Sequence, residues 1–140
     1  MKKQILTLVG VLSLLFAAGS VQAQSIHVKA NVPFEFKVLN KTVPAGEYSL
    51  VSNGSIDSHV LAMRSGRGTA VSFVSASIGD SRRASSRTVL IFHRYGDTYY
   101  LSGLALSGAD YSWKFPRGKA ETEQAQVSAA NEVLVASTGR

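Results

Sequence analysis

The sequence predicts an all-β protein, a single-domain antiparallel β-sandwich or small β-barrel with a short C-terminal helix. Apolar residues recur at every second position in several short segments, which is the period of a strand with one buried face. Glycine, proline and asparagine turn signals separate these segments at fairly regular spacing. The 140 residues contain no cysteine. A chain of this length can bury a sufficient core without disulfides, so we expect packing alone to stabilise the fold.

The first 23 residues have the pattern of a secretory signal peptide. Lys2 and Lys3 precede the apolar stretch Ile5–Gly19, and small residues at Val21 and Ala23 offer a cleavage site. The apolar stretch is shorter than the roughly 20 residues that span a bilayer. We therefore expect cleavage after Ala23, a periplasmic or secreted protein, and no transmembrane segment in the mature chain. The alternative is an uncleaved membrane anchor.

We assign residues 24–118 to one β domain. Its first strand has alternating apolar residues up to Pro33, which lacks an amide proton and marks a bend before the pattern resumes. A turn at 43–46 leads into a second extended region, and two glycines in the segment 65–69 predict a hairpin loop. The predicted strands are 26–32, 34–38, 47–52, 59–64, 70–78, 88–95, 98–105 and 111–115, with a polar loop at 79–87.

The segment 92–101, FHRYGDTYYL, combines charged and aromatic residues around a two-residue turn at Gly96-Asp97. Counting outward from this turn pairs Arg94 with Tyr99 and His93 with Tyr100. We expect the Arg94 guanidinium to lie over the Tyr99 ring and His93 to stack on Tyr100, because such cross-strand pairs stabilise sheets. This interpretation makes the segment a structural hairpin. The sequence offers His93 no second titratable group within hydrogen-bond reach.

Residues 119–140 read as a C-terminal helical or flexible tail. The segment 119–134 is rich in good helix formers. Val127, Ala130 and Leu134 could form a narrow apolar stripe on such a helix.

Few features of the sequence point to chemistry. The formal net charge of +6 is modest and unclustered, which argues against nucleic-acid binding. No G-x-S-x-G motif is present, and His27, His59 and His93 lack metal-ligand spacing. We therefore assign no catalytic, cofactor-binding or metal-binding residues, and expect no cofactor and no enzymatic activity.

The expected function is a non-catalytic binding or structural module of the cell envelope with an envelope or extracellular partner. The alternatives are a small envelope hydrolase that uses His93 or His59, and a lipocalin-like carrier of an apolar ligand. We expect the loops Gly54–Ser58, Gly79–Arg87 and Gly96-Asp97 to lie at one end and form the contact surface. The sequence leaves the oligomeric state open.

Two stretches, VPFEFKVLNKTVPAGEYSLV and LIFHRYGDTYYLS, resemble a group of small exported proteins frequent in acidobacteria. Proteins of that group have a VPFxF strand followed by PAGxY, an FHRYGDxYFL hairpin, and a proline before a glutamate-containing helix, here Pro116 to Glu123. The chain differs from them at Leu39, where a glycine is expected, and at Gly103-Leu104-Ala105, where larger residues are expected. The resemblance implies export and a β fold, and it supplies no catalytic residues because the group's function is not established.

Overall fold

The computed structural model describes residues 26–52, 59–80 and 86–139, so the expected signal peptide lies outside the described residues. The described residues form eleven strands of one sheet and a single helix, which confirms the all-β class. The strands are β1 (His27–Val32), β2 (Phe36–Val38), β3 (Lys41–Val43), β4 (Gly46–Ser52), β5 (Val60–Ser65), β6 (Ala70–Ser75), β7 (Ser77–Asp80), β8 (Val89–Tyr95), β9 (Thr98–Ala105), β10 (Tyr111–Lys114) and β11 (Asn131–Gly139), and helix α1 is Lys119–Val127.

The sheet curls into a nearly closed barrel. Hydrogen-bonded neighbours follow the order β3-β2-β9-β8-β11-β1-β4-β5-β6, and β10 pairs with both β9 and β7. Only Ala76 separates β6 from β7, so the path leads from β9 round the molecule and back to β9 through β10. The Lys41 ammonium on β3 also donates to the carbonyl oxygen of Val71 on β6, at 2.8 Å. Helix α1 lies within the chain segment that joins β10 to β11.

Alternation along the strands builds the core, as the sequence predicts. On β1, Val28, Ala30 and Val32 are buried while the residues between them are exposed. Phe36 from β2 and Phe92 from β8 meet edge to face at 5.2 Å between ring centroids. The largest fully buried side chains are Phe36, Phe92, Leu50, Leu61, Met63, Leu90 and Leu104. Burial of this apolar surface is the main favourable contribution to folding.

Strand β3 is absent from the sequence prediction because its turn carries no glycine. The turn Leu39-Asn40 joins β2 to β3, and Leu39 has a φ of 56°. This left-handed conformation normally selects glycine, the residue that the resemblance also leads one to expect there. Tertiary contacts therefore hold Leu39 in a conformation that its own side chain disfavours.

The second half of the predicted tail is a strand of the barrel. The prediction of a helical or flexible tail holds for α1 and is wrong for β11, which pairs with β8 on one side and β1 on the other. Val133 and Val135 pack against the core at the period of a strand. The proposed apolar helix stripe does not form, since Val127 is 83 % exposed on α1 and Leu134 is 55 % exposed on β11. Core coverage thus overrides local helix propensity.

The β8–β9 hairpin keeps the predicted register near its turn and changes it farther away. His93 is opposite Tyr100, and Arg94 is opposite Tyr99. A bulge then intervenes, because Phe92 pairs with Leu101 whereas Ile91 pairs with Gly103. The extra residue is Ser102. Beyond the bulge Leu104 comes opposite Leu90, and both are fully buried, whereas the unbulged register put them on opposite faces.

Candidate functional site

A polar cluster lies between helix α1 and the outer face of the β8–β9 hairpin. We call it the Glu121 cluster and define it as Glu121 on α1, His93 and Tyr95 on β8, Ser102 on β9, and Arg117 in the segment before α1. Glu121 is 3 % exposed and His93 is 23 % exposed. A carboxylate is almost never buried to this degree unless it has a cationic or hydrogen-bonding partner. The partners of Glu121 therefore determine the chemistry that the cluster can perform.

Three side chains converge on one carboxylate oxygen. Oε1 of Glu121 lies 3.1 Å from Nδ1 of His93 and 3.4 Å from the Tyr95 hydroxyl, which donates to it. The Nε atom of Arg117 lies 3.8 Å from the same oxygen, and the Arg117 side chain is about half exposed. Two hydrogen-bond donors therefore come from the barrel, and Arg117, four residues before Glu121, is an ion-pair partner. Within the described chain every buried side-chain nitrogen and oxygen has a hydrogen-bond partner.

The imidazole of His93 links the buried carboxylate to a serine. Its Nε2 atom lies 3.0 Å from Oγ of Ser102. An ionised carboxylate only accepts hydrogen bonds, so the ring proton belongs on Nδ1. In the neutral ring Nε2 is then an acceptor, and the Ser102 hydroxyl donates to it. The result is a continuous chain from Ser102 through His93 to Glu121.

Two buried tyrosines, Tyr95 and Tyr100, lie beside each other next to the carboxylate. Tyr95 meets Tyr100 at 5.7 Å between ring centroids, and the Lys37 ammonium lies 5.9 Å from the Tyr100 ring. Burial raises the pKa of both Tyr95 and Tyr100, and the negative charge of Glu121 raises each pKa further. The pKa shifts have this direction because a phenolate would be desolvated beside a like charge.

The chain before α1 is guided onto the hairpin by a close backbone approach. Gly118 lies against the β2–β3 turn, where an added Cβ would come within 2.9 Å of the Leu39 carbonyl carbon and oxygen. Helix α1 begins immediately after Gly118, so Glu121 in its first turn is directed at β8. The Thr122 hydroxyl donates to the Gly118 carbonyl oxygen at 2.9 Å and stabilises the first turn of the helix.

The structure corrects the interpretation of His93. The sequence led us to expect no titratable partner for this histidine, whereas Glu121 lies within hydrogen-bond distance of it. The expected stacking partner was Tyr100, yet the ring contact of His93 is an edge-on one with Tyr95, at 6.4 Å between centroids. Glu121 is 28 residues away in sequence, and no local periodicity indicates a contact over that distance. The one available signal was a glutamate in the first turn of a predicted helix.

The tip of the hairpin is a packed aromatic group. The Arg94 guanidinium lies 5.7 Å from the Tyr99 ring, as predicted. Tyr99 in turn stacks on Phe34, at 3.8 Å between centroids and 15° between planes. These contacts hold the turn against the β1–β2 connection and account for the density of functional groups in this segment.

Two of the three loops that we expected at one end of the molecule are attached to opposite ends of β8. Arg87 lies just before β8 begins, and Gly96-Asp97 follows its last residue, so seven strand residues separate the two loops. A strand of that length spans roughly 20 Å. The segment Gly54–Ser58 lies outside the described residues. Residues 81–85 lie outside the described residues as well. The prediction of a single contact surface is therefore contradicted at the described ends of these two loops and stays a prediction for the other residues.

The single tryptophan of the chain has a structural place, and the other two histidines have solvent-exposed ones. Trp113 is buried in the core on β10, and His27 and His59 are exposed. Across residues 26–52, 59–80 and 86–139, no three histidine, aspartate or glutamate side chains are grouped so that they could hold a metal ion. The same ranges contain no helix with the length and apolarity needed to cross a membrane.

Comparison with known proteins gives no match, whether with family models, with curated proteins or with solved structures.

Proposed function

We propose that the protein is an exported domain of the bacterial cell envelope, periplasmic or secreted, that acts as a non-catalytic binding or structural module. Export is supported by the signal-peptide pattern of residues 1–23 and by the resemblance to exported acidobacterial proteins. A test is expression in a Gram-negative host, fractionation, and intact-mass measurement. A mature chain beginning at Gln24 in the periplasm supports the proposal, and a full-length cytoplasmic chain contradicts it.

The observation that carries the non-catalytic assignment is the enclosure of Glu121. Its carboxylate is almost fully buried and accepts from two barrel side chains, and this arrangement fastens α1 to the hairpin. The hydrogen-bonding capacity of His93 is used within the protein, since both ring nitrogens have partners. A cluster satisfied internally fits a structural contact. The same hydrogen bonds would occur in a catalytic serine–histidine–carboxylate chain, so activity decides between the two, and the non-catalytic module predicts no turnover in a panel of esters, glycosides and peptides.

A serine hydrolase is the second candidate, and the Ser102–His93–Glu121 chain is the observation that favours it. In such a reaction Oγ of Ser102 would attack an ester carbonyl while Nε2 of His93 takes the hydroxyl proton. The tetrahedral species would then expel the alcohol, which takes that proton from His93, and water would release the acid from Ser102 by the same route. Glu121 would orient the imidazole. Acylation also requires donors that stabilise the oxyanion.

The two candidates differ in what a serine-directed reagent does. A fluorophosphonate probe forms a stable adduct with an activated serine and leaves an ordinary one unlabelled. The non-catalytic module predicts no adduct on Ser102 by peptide mass spectrometry. Labelling of Ser102 in the wild type that disappears in His93→Ala, while Ser107 stays unlabelled in both, would establish the hydrolase instead.

The barrel shape alone gives weak support to a lipocalin-like carrier. A carrier needs an apolar cavity of about 300 Å³ or more. The described core has large side chains packed on one another, with Phe92 contacting both Phe34 and Phe36. A barrel interior filled by its own side chains leaves little room for a ligand, so a surface site is the better candidate for binding.

A further inference from the structure

The Glu121 cluster has two parts with different attachments to the fold. His93 and Tyr95 belong to β8, which pairs with β9 on one side and β11 on the other. The carboxylate belongs to α1, and Glu121 is the one buried residue of that helix. The barrel therefore holds the donors rigidly, and a separate element brings the acceptor to them.

Apart from Glu121, helix α1 contributes only the half-buried Ala120 and Ala125 to contacts with the rest of the protein. Its last apolar residue, Val127, is 83 % exposed. Its N-cap residue, Gly118, supplies no side-chain hydrogen bond, and a nine-residue helix is marginal by itself. Its docked position thus depends on the contacts of the Glu121 carboxylate and on the close passage of Gly118 over Leu39.

The chemistry of the barrel side of the cluster matches a carboxylate. The Nδ1–H of His93 and the Tyr95 hydroxyl point at one oxygen position, and their surroundings are the buried rings of Tyr95 and Tyr100. The Nε atom of Arg117 lies 3.8 Å from the same oxygen and adds positive charge. Two convergent donors beside a cation favour an anion, because hydrogen bonds to charged acceptors are stronger than neutral ones.

We propose that His93 and Tyr95 form a carboxylate-binding site that Glu121 occupies within the chain and that a glutamate side chain of an acidic peptide partner occupies when α1 moves aside. This inference rests on the proposed binding module and identifies its site and ligand class. Helix α1 is then an internal competitor for the partner. Charge complementarity favours a carboxylate-bearing peptide, since the Arg117 guanidinium attracts an anion and the Nδ1–H of His93 cannot accept a hydrogen bond from a cationic side chain.

Chemical rescue tests the site directly. The full chain with Glu121→Ala has the donors without their carboxylate, so acetate or propionate should raise its melting temperature by several degrees with saturation in the millimolar range. Sodium chloride at equal ionic strength and propionamide at equal concentration are the controls. The wild type and Glu123→Ala, a neighbouring exposed glutamate, should show no saturable shift.

The double variant Glu121→Ala, His93→Ala should lose the rescue. If Glu121→Ala does not fold, Glu121→Gln replaces it, because glutamine retains the side-chain volume of glutamate. The ligand in that titration is then a synthetic peptide of residues 117–127. A melting temperature that responds no more to acetate than to chloride overturns the proposed site.

A peptide supplied in trans tests whether the site selects a glutamate side chain. The synthetic segment 117–127, RGKAETEQAQV, should bind the Glu121→Ala chain at least about tenfold more tightly than the same peptide with glutamine at position 121, by fluorescence anisotropy. It should bind the wild type weakly, because Glu121 occupies the site. Equal binding of the two peptides overturns the proposal.

The outcomes also separate this inference from the proposed function. Absence of rescue together with an unlabelled Ser102 removes the carboxylate site and leaves the non-catalytic module intact. Labelling of Ser102 removes the module, whatever the rescue experiment shows.

Discussion

The two faces of the β8–β9 hairpin are held in different ways. The inner face contributes Leu90, Phe92 and Leu104 to a continuous apolar core. The outer face contributes His93 and Tyr95 to contacts with one carboxylate from α1. Packing on the inner face is spread over many neighbours, whereas the outer contact depends on a few polar atoms. The inner face therefore determines whether the domain folds, and the outer face determines whether α1 is docked.

The largest effect is expected from truncation on the inner face. Phe92 is fully buried and meets the rings of Phe34 and Phe36 edge to face. Phe92→Ala should lower the free energy of unfolding by about 3 to 5 kcal/mol in urea titrations, because it removes these contacts and leaves a cavity. Leu134→Ala, at a largely exposed position, is the control and should cost less than about 0.5 kcal/mol. Similar losses for both variants would contradict the assignment of the inner face.

Removal of the outer carboxylate should have a smaller effect. Glu121→Ala leaves the barrel donors without their acceptor and should lower the free energy of unfolding by about 2 to 3 kcal/mol. Hydrogen exchange should increase over 119–127 and remain slow in β8 and β9. Glu123→Ala is the matched control on the same helix and should be nearly neutral. Uniformly faster exchange throughout the barrel would show that the outer contact is part of the core.

Substitution of Gly103 tests how closely β10 approaches β9 of the same hairpin. A Cβ at this position would lie 2.5 Å from the Trp113 carbonyl oxygen on β10. Gly103→Ala should therefore separate β9 from β10 locally and lower the free energy of unfolding by about 1 to 2 kcal/mol. In Gly66→Ala the new Cβ would meet its nearest atom at 3.4 Å, so this control should be tolerated. A neutral Gly103→Ala would contradict the observed β9–β10 spacing.

The smallest effect is electrostatic and appears at high pH. The pKa values of Tyr95 and Tyr100 are raised by burial and by Glu121, so the folded state favours the protonated phenols. The contribution of these raised pKa values to the free energy of unfolding is complete below pH 10. It is lost as the pH rises through the pKa values of the two tyrosines in the folded state. Ultraviolet titration should show late-ionising tyrosines, and Glu121→Gln should lower the pKa of Tyr95. An unchanged tyrosine titration in this variant would contradict the claim that the charge of Glu121 raises the pKa of these tyrosines.

Local patterns explain which parts of the fold could be predicted from the sequence. Alternation located β8 and β9, and the Gly96-Asp97 turn determined their pairing near the tip. The bulge at Ser102 escaped prediction because nothing in the local sequence distinguishes an extra residue from a regular one. Strand β11 was missed because good helix formers precede it, although Val133 and Val135 already had the period of a strand.

The candidate site could not be predicted because it is a long-range contact. His93 was singled out with a structural role in the hairpin, and the glutamate of the following helix was noticed only as part of the resemblance. Their contact depends on the path of residues 115–118 over the Leu39-Asn40 turn. That turn uses a left-handed leucine, which the sequence does not indicate. The same missed turn therefore concealed both β3 and the docking of α1.

The tautomer of the His93 ring, that is, which ring nitrogen carries the proton, tests most directly whether the Glu121 carboxylate is bound by the barrel. Long-range proton–nitrogen NMR spectra distinguish Nδ1–H from Nε2–H in a neutral histidine. The wild type should show the Nδ1–H tautomer, and Glu121→Gln should change the His93 nitrogen shifts while those of exposed His27 stay the same. An Nε2–H tautomer in the wild type, unaffected by Glu121→Gln, would contradict the proposed contact.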